Sequence, residues 1–258
     1  MHLDPQLSVP FFITEIDRLL NRNGYFVEIR YDFENWAAFL EDGQKMRMIN
    51  PSFDPRHSTL TPDSSFWLQL LDESGRAIAC DAYRLFQVPD FAEHIRTLEF
   101  IYDHVPSDMA PLTLSLPPDA PVFGGRVGHA GGMWIDPQHR KRGLPFLLTR
   151  MKRAIAMRRF DPDWECGLLF GELAATGIQF TGYGYTRSML CFDCHHPATN
   201  RRERAFLTAI SREEMRHQIH HNATGIMEMP NNDMLAFAAC STAPTVAVQS
   251  SSAGVIRM

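Results

Sequence analysis

Hydrophobic spacing divides the chain into a series of short elements. Phe12, Ile16 and Leu19 recur at helical intervals within 11–20, and Asn21 to Gly24 supplies a stop, so a helix follows a loose arm over 1–10. Residues 25–31 alternate as a strand does, with Phe26, Glu28 and Arg30 on one side and Val27, Ile29 and Tyr31 on the other. A second helix is predicted over 35–46, where Trp36, Phe39 and Leu40 fall together, before a loop rich in Pro, Ser and Asp over 50–65. Apolar runs at 66–71 and 77–86 flank Asp72-Glu73-Ser74-Gly75 and predict a β-hairpin. Residues 91–103 fit either a helix or an irregular segment, and the Pro-rich run 106–121 is a long connection.

The second half is more sharply patterned. A strand over 126–136 leads through a Pro-marked turn to a helix over 142–160. In that helix Leu144, Leu148, Met151 and Ile155 make one stripe to bury, with Thr149, Lys152 and Arg153 off it. Residues 165–172 (ECGLLFGE) suit a buried strand, and 186–192 another. After Asp193 the chain is polar with helical character over 201–221, and Ser211 is placed to cap a helix over 212–219. The Ser-, Thr-, Ala- and Val-rich end, 240–258, leaves disorder and an edge strand at 245–249 both open.

Composition changes this picture little. A chain of 258 residues with 45% hydrophobic and 21% charged residues is an ordinary globular protein of one large domain or two small ones. A net charge of −5 speaks against a dedicated nucleic-acid binder. No signal peptide pattern and no run of membrane-spanning length is present, so a cytoplasmic protein is expected, with no membrane partner. Five cysteines, an odd number, argue against a disulfide framework. A homodimer is left open.

Charge distribution is more informative than its total. Arg140 to Arg159 contains many Lys and Arg and no acid, and Arg140, Lys141 and Arg142 crowd the turn before the long helix. Free backbone N–H groups, the positive end of a helix dipole and three cations together suit a phosphate. The same basic residues, with Arg201, Arg202 and Arg204, would otherwise suit RNA or DNA, although aromatic residues are not interleaved with them.

The stretch WIDPQHRKRGLPFLL resembles the acyl-CoA-binding motif of the GNAT acyltransferase superfamily. There a hydrophobic strand ends in V-x-P-like residues and leads to Q/R-x-x-G-x-G/A at a helix start. Here Ile135 and Pro137 are followed by Arg140-x-x-Gly143-x-Pro145. Pro145 departs from the family's Gly or Ala; it fits a first helical turn but removes one amide donor. The hairpin at 66–86 resembles the one that precedes the family's cofactor strand. ATGIQFTGYGYTR resembles its short helix ending in Y-x-x-x-G-F, aligned on Gly184 and Tyr185. That alignment puts Phe180 where many members keep the tyrosine that protonates the leaving thiolate, and Leu173 where they often have a cofactor-contacting Asn.

Over 25–195 the resemblance implies an α/β (α+β) domain, a GNAT-like mixed central sheet flanked by helices. A helical extension over 196–239 and a tail over 240–258 would follow. It implies an N-acyltransferase that moves an acetyl or other acyl group from acyl-CoA to a small-molecule or peptide amine. Met133, Trp134, Ile135, Arg140, Lys141, Arg142, Gly143, Leu144 and Pro145 would hold the cosubstrate. Such transfer needs a base for the amine proton, a donor for the oxyanion and an acid for the thiolate. Gly131 and Gly132 suit a bulge that parts the strand from its neighbour. Glu172, at the end of its strand, is the preferred base, with His129 on the cofactor strand the second candidate. Tyr183 and Tyr185 are replacements for the acid. Two other readings compete: a GNAT-fold acyl-CoA sensor without turnover, and an enzyme acting on a tRNA-linked amine. Cys191, Cys194 and His195, with His217 and His221 downstream, carry zinc-ligand residue types, but their spacing exceeds that of common zinc fingers and no metal is expected.

Overall fold

The structure, a computed structural model, describes residues 4–43, 49–196, 201–228 and 233–240. The first helix, α1 (Ser8–Arg22), starts earlier than the hydrophobic spacing predicts. Ser8 is buried and its hydroxyl lies 2.7 Å from Nδ1 of His220, so the expected loose arm is tied down at its end. Next come β1 (Phe26–Arg30), α2 (Phe33–Ala38) with a wider turn through Gly43, and the hairpin β2 (Ser65–Leu71) and β3 (Ala77–Val88). The end of the helix predicted over 35–46 lies outside the described residues. A short α3 (Phe91–Arg96) opens the irregular connection to β4 (Gly125–Ile135). The long α4 (Leu144–Phe160), β5 (Trp164–Phe170), α5 (Gly171–Ala175) and α6 (Ile178–Thr181) follow. The described chain closes with β6 (Arg187–His196), β7 (Arg201–Ser211), α7 (Arg212–Glu228) and α8 (Met234–Cys240).

The strands form one seven-stranded sheet in the order β1-β2-β3-β4-β5-β7-β6. Every neighbouring pair is antiparallel except β4 with β5. On one face α1, α4 and α7 bury a core that includes Phe12, Tyr83, Leu148 and Ile219. On the other, α3 and the Pro-rich connection cover Val127, Cys166 and Leu207, while α2 covers Trp67 and Cys80. The expected fold class holds: a mixed sheet flanked by helices.

Two readings need correction. Residues 201–211 form a strand, not a helix, and the expected boundary at 195/196 falls inside the β6–β7 hairpin. Arg201, Arg202, Glu203 and Arg204 mask the pattern, but Ala205 to Ile210 is the near-continuous apolar run of a strand paired on both sides. The helix expected over 212–219 is present and runs on to Glu228; Ser211 and Glu214 cap it reciprocally, with N–H to side-chain distances of 2.9 and 3.4 Å.

The second correction concerns α4. Only Pro145, Arg158 and Arg159 of its 17 residues escape burial, so burial is not confined to the one expected stripe. Packed among the sheet, α1 and α7, it must satisfy its charges internally. Arg153 pairs with Glu165 at 2.6 Å, Lys152 with Asp81 at 2.5 Å, and Arg150 donates to the Gly182 carbonyl at 2.6 Å. These three cations are taken up by the interior. Among the described residues no helix is long and apolar enough to cross a membrane. The tail beyond Cys240, with the strand considered at 245–249, lies outside the described residues.

Candidate functional site

Strands β4 and β5 pair at Val127↔Trp164, Gly128↔Glu165 and His129↔Cys166, and no further. Beyond His129 the two strands part. On its other side β4 bulges: Cys80 faces Trp134 and Ala82 faces Gly131, so Gly132 and Met133 together oppose Asp81. Gly132 makes this possible. Its φ is +66°, and a Cβ there would lie 2.6 Å from Cζ2 of Trp36. The bulge expected from the paired glycines is therefore present.

A cleft of about 170 Å³ opens where the strands part, walled by Gly132, Met133, Thr149, Lys152, Tyr183 and Asp81. Leu168, Leu169 and Leu173 supply an apolar side, and Tyr185 also reaches it. Burial raises the Asp81 carboxyl to about 6, against the opposing pull of the Lys152 ammonium. Asp81 Oδ2 and Thr149 Oγ1 are buried without a hydrogen-bond partner among the described residues. Burial also pushes the Tyr183 phenol up to about 12. Tyr185 is likewise raised by burial, and its ring faces the Arg153 guanidinium at 5.4 Å.

The turn between β4 and α4 is built as the motif implies. Asp136 accepts from the Gln138 N–H at 2.8 Å and fixes a single 3-10 turn over Pro137–His139. Arg140 Nε donates to the Ile135 carbonyl at 3.1 Å, and Arg142 to the Tyr25 hydroxyl at 3.0 Å. Gly143 takes φ +74° just ahead of the helix. The N–H groups of Leu144 and Phe146 donate no hydrogen bond among the described residues, leaving donors for an anion. One flank of the turn is occupied, however. Met234, Leu235 and Ala238 of α8 pack against Gly143, and Phe237 meets Phe146 edge-on at 5.5 Å.

The residues singled out in the sequence separate into groups. Met133, Tyr183 and Tyr185 meet at the cleft. Trp134 turns to the other face against Phe39, and Ile135 is buried in the core. Arg140, Lys141, Arg142, Gly143, Leu144 and Pro145 form the turn and first helical residues. Glu172 does not end its strand: β5 stops at Phe170, and Glu172 is exposed in the first turn of α5, outside the cleft wall. His129 is sealed beneath β4, stacked on Phe53 at 5.3 Å and near Phe91 and Phe100. Burial, with Arg84 and Lys152 nearby, lowers its pKa to about 3. Cys191 is buried, its thiol pushed up to about 12, whereas His217 and His221 are exposed on α7. The side chains of Cys194 and His195 lie outside the described residues. Sequence reasoning missed Asp81 and Lys152. The signal was a lone carboxylate within the otherwise apolar run AIACDAY, which calls for a buried partner.

A mixed sheet whose parallel central strands part beside a bulge, with a basic glycine turn and a long helix directly after the first of them, decides the fold. The chain has the GNAT fold. Among solved structures it is similar to Arabidopsis thaliana NAA60 in complex with acetyl-CoA, with 10% identity and a TM-score of 0.45 over 72% of this chain and 99% of that one. It is similar to an acetyltransferase of the GNAT family from Streptococcus pneumoniae, with 12% identity and a TM-score of 0.41 over 72% and 98%. A third is the Drosophila melanogaster polyamine N-acetyltransferase, which forms N-acetylagmatine, with 14% identity and a TM-score of 0.39 over 72% and 99%. No protein-family model and no curated protein matches the sequence. After Phe192, β7 completes the sheet, and Met234 and Ala238 of α8 lie against the glycine turn.

Proposed function

We propose that the protein is an acyl-CoA-dependent N-acyltransferase that transfers an acetyl or other acyl group to an amine by direct attack. The observation that carries this reading is the cleft at the parting of β4 and β5, lined by backbone on one side and by titratable groups on the other. When bound, acyl-CoA supplies an activated acyl carbon and a thiolate leaving group. The turn over Arg140 to Pro145 fits its phosphates, because the N–H groups of Leu144 and Phe146, which donate to nothing among the described residues, lie beside three cationic residues. Met133 and the flanking bulge offer backbone outside the β4–β5 ladder along which a thioester can be aligned, and a β4 N–H is suited to the oxyanion. Leu168, Leu169 and Leu173 give the reacting end an apolar side.

A second reading, an acyl-CoA sensor without turnover, is favoured by Phe180, which is 47% exposed and has no proton to give. The test is to titrate CoA by calorimetry and then follow thiol release from acetyl-CoA across small amines, peptide N-termini and aminoacyl-tRNA. Amine-dependent release is the expected result. Tight CoA binding with no release from any acceptor supports the sensor.

A further inference from the structure

We propose that Asp81, resting on the acyltransferase reading above, is the group that accepts the amine proton in the cleft, with Lys152 as the partner that holds it in place. Neither Glu172 nor His129 has this placement, and three observations support it.

The first is position. Asp81 lies on β3 at the one place in the β3–β4 register where β4 bulges, so Gly132 and Met133 swing away from it and the cleft opens onto its side chain. The second is an unfilled valence. Its side chain is 1% exposed; Oδ1 accepts from Lys152 Nζ at 2.5 Å, but Oδ2 has no partner among the described residues. Buried carboxylate oxygens in native proteins are almost always satisfied, so Oδ2 calls for a donor that arrives with the substrate. The third is the company it keeps. Thr149 stands three residues before Lys152 on α4, on the same side of the helix, and its buried hydroxyl is also unpartnered. Two unsatisfied polar groups from different elements thus line the same apolar-walled cleft.

The chemistry balances without another reactant. As the amine nitrogen bonds to the acyl carbon, its proton passes to Asp81 Oδ2, directly or through one water. The carbonyl re-forms, the C–S bond breaks, and the electron pair leaves on sulfur. The Asp81 carboxyl returns the proton to that thiolate. A carboxyl near 6 is basic enough to take a proton and acidic enough to give it to a thiolate. The Tyr183 phenol, held near 12, is too weak an acid for that last step. His129, held near 3, is too weak a base for the first.

A buried ion pair can also be purely structural, so the test needs a readout that packing would not move. Asp81→Asn keeps the shape and leaves a carbonyl oxygen for Lys152. In the presence of a reactive amine, kcat should fall by roughly 10²-fold or more, the scale of a lost general base. CoA affinity should stay within about twofold. The wild-type kcat should decline below pH 6, and the residual rate of the variant should lack that limb. If Asp81→Asn does not fold, the double variant Asp81→Asn/Lys152→Met removes both charges and is read in the same way. Normal turnover in either folded variant overturns the proposal, as does a larger loss in Glu172→Gln. Wild-type protein that binds CoA but releases no thiol removes the reaction itself and the proposal with it; wild-type turnover beside an unimpaired Asp81→Asn removes the proposal alone.

Discussion

Ala238 stands against Gly143: a Cβ added to the glycine would lie 3.1 Å from that of the alanine. The last described helix is thus seated on the turn best suited to phosphate, held by Phe237 against Phe146 and by burial of Met234. A ligand that needs this flank must first displace α8, and its apparent affinity is reduced by the fraction of molecules in which the turn is covered. Phe237→Ala should loosen α8 and tighten CoA binding several-fold by calorimetry. Gly143→Asp should do the opposite. It places a negative charge at the helix start and a side chain in a left-handed conformation, at about 1–2 kcal/mol. CoA affinity should fall at least tenfold while the far-ultraviolet circular dichroism stays unchanged. If Phe237→Ala weakens binding instead, α8 is a wall of the site and not a cover.

Among the described residues Arg153 is a buried cation with every nitrogen engaged. It pairs with Glu165 at 2.6 Å, donates to the Tyr183 carbonyl at 3.0 Å, and also contacts Gln218 Oε1. Arg153→Met strands the Glu165 carboxylate in the interior and should cost about 3–5 kcal/mol in urea unfolding. Adding Glu165→Gln should recover part of that loss, because the stranded charge goes with it. Equal stability of the single and double variants would mean that the lost cost is packing alone.

His129 should make the fold acid-sensitive. Its pKa falls from the ordinary 6.5 to about 3 on folding, so the unfolded chain takes up a proton that the folded one refuses. The stability this group contributes is complete above pH 6.5 and is lost as pH falls towards 3. His129→Leu removes the coupling, and its melting temperature should fall less between pH 7 and pH 4 than that of the wild type. Parallel curves would place the acid sensitivity in other groups.

Much of the fold was legible because local signals agreed. The 72–75 turn fixed a hairpin, the 131–132 glycines marked a bulge, and the stripe through Leu148 and Ile155 marked α4. What escaped were residues whose environment is made by distant chain. Lys152 and Arg153 read only as lying off the buried stripe, because periodicity cannot show that α7 and the sheet enclose the far side of α4. Arg201 to Arg204 hid a strand because its partners, β5 and β6, lie on either side of it. The candidate site was half visible. The turn and the two tyrosines carried a motif, whereas Asp81 lies on a strand with no motif, and only the register across from Gly132 brings it to the cleft.

The order β5-β7-β6 sets a schedule for biosynthesis. In the sheet β6 has one neighbour, β7, which the ribosome makes after it. When His196 has emerged, β6 has no edge to join, and β5 still offers its open side to solvent or to another nascent chain. The sheet can close only once Ser211 is free, because the strand that joins β5 to β6 is made after both.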